Sequence, residues 1–365
     1  MLSIKKPGLV LNTGICLENI RAMAAKARNA GVAFRPHFKT HQSATIGEWF
    51  REEGVTAITV SSVSMARYFS AHGWKDITIA FPVNLPEIDE INELARKIQI
   101  NLLIESVETA LFLLENLKSE CGFFIKIDTG YHRTRIEVSN TKLIDHVLQS
   151  TTSPLLRFKG FLTHSGNTYH AKNIDEIIHI QRFTSENLVR LKKRYLDQYP
   201  DLILSVGDTP TCSQRMPAAG INEIRPGNFV FFDVMQFALG SCKPDQIAVA
   251  LVCPVVAVHP SRQEAVIYGG AIHLSKEQTM LPPDPQAIYG LAVSWDGNKW
   301  DTTQLLGKVR SLSQEHGVIS LTQMGCNLKP GDLVAILPVH SCLTSHLMRS
   351  FYTLDGCIID TMNQQ

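Results

Sequence analysis

Short apolar runs recur along the first two thirds of the chain, separated by stretches whose apolar residues return every three or four positions. In LENIRAMAAKARNAG (17–31), Leu17, Ile20, Ala24 and Ala27 share one face and Gly31 ends the pattern, which predicts an amphipathic helix. VAFRPH (32–37) follows as a strand. Seven further strand-like runs lie at 57–61, 77–81, 100–104, 123–128, 158–164, 202–206 and 223–231. Helical stretches such as LPEIDEINELARK, SVETALFLLENLKSE and IDEIIHIQRFTSENLVRLKKRYL separate most of them. Eight buried strands alternating with helices predict an α/β protein built on a (β/α)8 TIM barrel. No GxGxxG follows the first strand, which argues against an open dinucleotide-binding sheet.

Beyond about residue 245 the helical period fades and β-rich runs take over: IAVALVCPVVAVHP, EAVIYGG, GLAVSW and DLVAILPVH. The expected organisation is a barrel over 14–245 and a C-terminal β domain over 246–365, joined by the strand at 8–12. The 35 basic and 34 acidic residues leave a formal charge of +1 with no long run of either sign, which disfavours a nucleic-acid or membrane-surface role. The eight cysteines are scattered without a CxxC pair, and no signal-peptide pattern or bilayer-length apolar run is present. A reduced, cytoplasmic protein is expected.

Reactive residues of a barrel enzyme gather at the C-terminal ends of its strands, and polar chemistry clusters there in this sequence. The first strand ends in FRPHFKTHQS, with Lys39 between His37 and His41; the fifth ends in IDTGYHRTR, with Asp128, His132 and Arg133. The sixth ends in THSGNTYH, with His164 and Tyr169, and the seventh in SVGDTPT, with Gly207, Asp208 and Thr209. Singly, each has an ordinary explanation as a loop or turn residue; together, on matching ends, they mark a pocket. A lysine near an anion-cradling loop suits a Schiff-base cofactor such as pyridoxal 5'-phosphate, which needs an amine, a phosphate site and a partner for its ring nitrogen. Lys39, the Gly207–Thr209 loop and Arg133 are the candidates, and His37 and His41 are placed to tune Lys39 or relay protons.

RPHFKTH, IDTGYHRT, THSGNTY, SVGDTPT, EIRPGNFVFFD and HSC occur in this order, and the set resembles the D-threonine aldolase and D-serine dehydratase family, alanine racemase-like enzymes of pyridoxal-phosphate fold-type III. The resemblance implies that Lys39 forms the Schiff base and that a D-3-hydroxyamino acid displaces it to form an external aldimine. It implies that His37 and Arg133 lie in the cofactor site, with Arg133 near the ring nitrogen. His164 and Tyr169 would line the pocket as catalytic groups, and Gly207, Asp208 and Thr209 would hold the phosphate. It also assigns His340 and Cys342 of LPVHSCLT to a divalent metal, zinc favoured and manganese the alternative, that acts on the substrate's 3-hydroxyl. QEHG (Glu315, His316) looks like a further element near this metal. Where the family commonly has a small residue, Asp208 puts a carboxylate beside a phosphate, which is awkward unless it points away. A homodimer acting on a small D-amino acid is implied. Cys342 tilts the choice toward a D-serine dehydratase-like lyase over an aldolase; a racemase of the same fold and a non-catalytic cofactor carrier are the alternatives.

Overall fold

A computed structural model describes residues 4–134, 136–215 and 219–362. The chain divides into two compact units, one built from Met23–Lys39 and Phe50–Gly227, the other from the N-terminal segment through Ala22, Thr40–Trp49 and the chain from Asn228 onward.

The first unit carries the eight parallel strands expected: Ala33–Phe34, Ala57–Val60, Asp76–Pro82, Gln99–Ile104, Cys121–Asp128, Leu156–Leu162, Ile203–Val206 and Glu223–Ile224. They pair in chain order, and the last pairs back onto the first. A single parallel bridge, His37 to Thr59, closes the ring. At this seam Thr59 N–H donates to Pro36 O (2.9 Å), Phe38 N–H to Thr59 O (2.9 Å), and His37 N–H to Pro226 O (2.9 Å). Two strands are far shorter than the apolar runs suggested. The run at 223–231 is strand only at Glu223–Ile224, because Pro226 has no N–H for a ladder and Asn228–Val230 turns as a 3-10 helix. The first strand likewise stops at Phe34, and residues 38–41 form a turn.

The second unit is a mostly antiparallel sheet. Six strands close on themselves in the order Glu264–Tyr268, His316–Leu321, Trp300–Leu312, Gly290–Trp295, Leu333–Pro338 and Val249–His259, the last pairing with the first. Gly8–Leu11 pairs antiparallel with Val249–His259 and parallel with Ser350–Thr353. Trp300–Leu312 was not apparent as a strand because it opens on the polar run Asp301–Gln304. Among the described residues no helix is long and apolar enough to cross a membrane.

Candidate active site

Phe38 anchors the residue that follows it. Its ring is fully buried against Phe50 (5.0 Å between centroids), Phe69 (4.9 Å) and, edge-on, Trp74 (5.1 Å). Lys39 is thereby left exposed at the end of the first strand. Its N–H lies 3.4 Å from Nδ1 of His37, which is half-buried. The extended alternation that would set His37, Lys39 and His41 on one side is absent, since the chain turns at 38–41 and Gln42 takes φ +50°. His41 is fully buried, with Nδ1 3.1 Å from Ser43 O and 3.2 Å from Ser43 N; burial pushes its imidazole down to about 3. It is a packed residue of the turn.

The fifth strand ends in a loop wound around Asp128. One carboxylate oxygen accepts the backbone N–H groups of Gly130 (2.8 Å), Tyr131 (3.0 Å) and His132 (3.0 Å), and the other lies 3.3 Å from His132 Nδ1. The loop presents Tyr131 with the Arg133 guanidinium 4.9 Å from its ring centre. Tyr131, Arg133, Asp128, Lys126 and His164 line a narrow cleft. Gly166 is required beside it, because a Cβ there would come within 2.3 Å of the Tyr131 ring.

His164 lies between two aromatic rings, Tyr131 edge-on and Tyr169 tilted, each 6.2 Å away. Its Nδ1 is 2.9 Å from Gly207 O. A carbonyl only accepts, so Nδ1 carries the hydrogen and Nε2 keeps its lone pair. Burial, with the positive charges of Lys39, Arg133 and Arg225, lowers this imidazole to about 3, so it is neutral at physiological pH. Gly207 fits where no other residue would: a Cβ would sit 2.4 Å from the Arg225 backbone nitrogen. Asp208 turns its carboxylate away from the loop opening. It caps the helix Thr209–Gln214, accepting from Thr211 N–H (2.8 Å), Thr211 Oγ1 (2.9 Å) and Thr168 Oγ1 (3.0 Å), and burial raises it to about 6. Thr209, fully buried, opens that helix.

Two cations that sequence reasoning passed over belong to this cluster. Lys126 lines the cleft, and burial, with Arg133 and Arg225 nearby, lowers its amine to about 8. Arg225 is buried, donates to Thr163 O (2.6 Å) and to the Ser205 hydroxyl, and is lowered to about 10 by burial. Behind it Ser205 donates to Glu223, which accepts from Arg35 Nε (2.6 Å), and Arg35 forks onto Asp76 (2.7 and 3.0 Å). Arg225 stands within EIRPG, and its proximity to the cluster depends on pairing the eighth strand with the seventh.

Lys39, Lys126, Arg133 and Arg225 thus concentrate positive charge at one end of the barrel, while Asp128 is committed to backbone donors. With an exposed amine and a backbone turn that only glycine allows, the donor set fits an anionic aldehyde cofactor such as pyridoxal phosphate.

In the second unit His340 is the N-cap residue of the helix Ser341–Met348, and Cys342 is its second residue. The strand–helix turn after Leu333–Pro338, rather than strand alternation, sets their spacing. The Cys342 sulfur is buried, 3.2 Å from Thr40 Oγ1 and 3.6 Å from Asn228 Nδ2. Nδ1 of His340 is 3.5 Å from Oδ2 of Asp233, which is fully buried. Among the described residues no group of three or more His, Cys, Asp or Glu side chains is placed to hold a metal. His340 and Cys342 supply a nitrogen and a sulfur, donor types that a divalent ion such as zinc takes. Glu315 and His316 line a different cleft, of about 320 Å³, with Val256 and Tyr268.

The family model described as the alanine racemase N-terminal domain matches residues 13–234, and that of the serine dehydratase domain matches 248–354. A D-serine dehydratase of Dictyostelium discoideum is 28% identical, covering 97% of this chain and 94% of its own. A 3-hydroxy-D-aspartate aldolase of Paracoccus denitrificans is 25% identical over only 63% of this chain and 61% of its own. The structure of D-threo-3-hydroxyaspartate dehydratase from Delftia sp. HT23 superposes with a TM-score of 0.89 at 23% identity, covering 100% of this chain and 99% of the other; a Cys-to-Ala variant of such a dehydratase is known in a metal-free form. The chain belongs to the alanine racemase-like family, as a pyridoxal-phosphate-dependent lyase that carries a serine dehydratase domain after its barrel.

Proposed function

We propose that this lyase dehydrates small D-3-hydroxyamino acids, D-serine or D-threo-3-hydroxyaspartate among them, to a 2-keto acid and ammonia. The observation that carries this reading is the buried thiol of Cys342 two residues from His340, a nitrogen–sulfur pair suited to zinc. Alignment of the dehydratase relative over 97% of the chain supports it. When bound, pyridoxal phosphate supplies an electron sink for charge developing at Cα, and a divalent metal supplies Lewis acidity toward a departing hydroxyl.

The chain's own residues divide the remaining work. Lys39 would hold the cofactor through its amine, and its Nζ is the base that would take the Cα proton. Arg133, with His37 and Tyr169, orients the cofactor ring, and the turn Gly207–Thr209 receives its phosphate with Asp208 facing inward. His164 keeps a neutral ring with Nε2 as an acceptor, which orients the 3-hydroxyl. Burial and the neighbouring cations favour that neutral form. Residues 14–245 form the cofactor-binding domain in this reading, and 246–365 with strand 8–12 bear the metal ligands. The working form is a cytoplasmic homodimer.

Product analysis tests the proposal: purified protein with pyridoxal phosphate and zinc is offered a panel of D-amino acids. Pyruvate and ammonia from D-serine are expected. Glycine with an aldehyde would establish an aldolase instead, interconversion of enantiomers a racemase, and bound cofactor without any turnover a carrier.

A further inference from the structure

Asp233 is the most enclosed carboxylate of the second unit's polar cluster, with no solvent exposure. Oδ1 caps the helix Val234–Ala238 through Gln236 N–H (2.9 Å). Oδ2 gathers Asn228 Nδ2 (2.6 Å), Ser341 N–H (3.0 Å) and Ser341 Oγ (3.2 Å), and faces His340 Nδ1 at 3.5 Å. A buried anion needs donors or a countercharge, and Asp233 has several donors that fix its position. Its remaining neighbour is the imidazole proposed to bind metal. An imidazole that turns Nδ1–H to a carboxylate offers Nε2 to a cation, and the carboxylate makes that nitrogen more electron-rich. On the other arm, Thr40 Oγ1 lies 3.2 Å from the Cys342 sulfur and Asn228 Nδ2 3.6 Å from it. Donors at that range stabilise a thiolate once a cation displaces the thiol proton. Asn228 also binds Asp233, so one side chain braces both arms.

Resting on the reading of His340 and Cys342 as metal ligands, we propose that Asp233 is the positioning residue of that site, orienting His340 to coordinate through Nε2, and that Thr40 plays the same part for the Cys342 thiolate. Neither touches the ion. Asp233 is placed as a supporting carboxylate, with Oδ1 held by the helix cap and Oδ2 by Asn228 and Ser341.

The test is metal binding by the full-length protein, read without turnover. Cobalt(II) is titrated against a competing chelator, and the ligand-field and sulfur-to-cobalt bands are recorded at saturation. Asp233→Asn, which retains capping capacity, is expected to weaken cobalt binding about 10–100-fold and to alter the ligand-field bands. Thr40→Val is expected to weaken binding and shift the sulfur band. It acts through another part of the chain, so it keeps the test decisive if Asp233→Asn fails to fold. Wild-type affinity and spectra in both variants, with His340→Ala and Cys342→Ala each losing the ion, would overturn the positioning role alone. Cobalt retained by both His340→Ala and Cys342→Ala, or never bound by wild type, would overturn the metal reading beneath it.

Discussion

Replacing Asp208 by Asn isolates the electrostatics of the turn proposed to take the cofactor phosphate. The Asp208 carboxyl is 3% exposed, and burial raises it from 3.8 to about 6 despite three hydrogen bonds that favour the anion. Because the folded-state value lies above the unfolded one, the native state binds more protons between the two. The carboxyl's contribution to stability is complete below about pH 4 and is lost as the pH rises through 6. A shift of roughly two units at 1.36 kcal/mol each amounts to about 3 kcal/mol. The asparagine variant has no such proton to lose. Denaturant unfolding of both proteins, freed of cofactor and metal, should show wild type losing about 3 kcal/mol against Asp208→Asn between acidic and mildly alkaline pH, with the change centred between pH 4 and 6. The double difference cancels every group the two proteins share. A difference independent of pH, or one moving in favour of wild type as pH rises, would refute desolvation as the dominant influence and leave the hydrogen bonds in control.

Phe38→Ala should destabilise the barrel unit by about 3–5 kcal/mol in denaturant unfolding, since the ring is fully buried among three aromatic side chains; a loss below about 1 kcal/mol would show that Lys39 has another anchor. Lys39→Ala should abolish the visible absorbance of lysine-bound pyridoxal phosphate and all turnover, and persistence of that band would remove Lys39 from its role.

The alternation of apolar runs with helical periods revealed all eight barrel strands because both signals are local. It exaggerated the lengths of the first and last, where Pro36 and Pro226 interrupt an apolar run without making it less apolar. Lys39 and the Gly207–Thr209 turn were readable from short motifs that carry their own chemistry. Asp233 was not, although FVFFD was in plain view: its meaning depends on Ser341, 108 residues away, as that of Cys342 depends on Thr40, 302 residues away. Asp208 shows the converse limit. Its presence in the turn was evident, while the direction of its carboxylate was decided by Thr168 and Thr211.

The seam of the barrel uses its prolines purely as acceptors: Pro36 O takes Thr59 N–H and Pro226 O takes His37 N–H. A proline supplies a carbonyl without an accompanying donor, so the ring closes beside Lys39 with no spare N–H from either residue. Any other amino acid there would supply the same carbonyl together with a new amide hydrogen needing its own acceptor. Donor arithmetic therefore restricts replacement of Pro36 and Pro226 as much as shape does, and a variant at either position would be judged by where its added hydrogen goes.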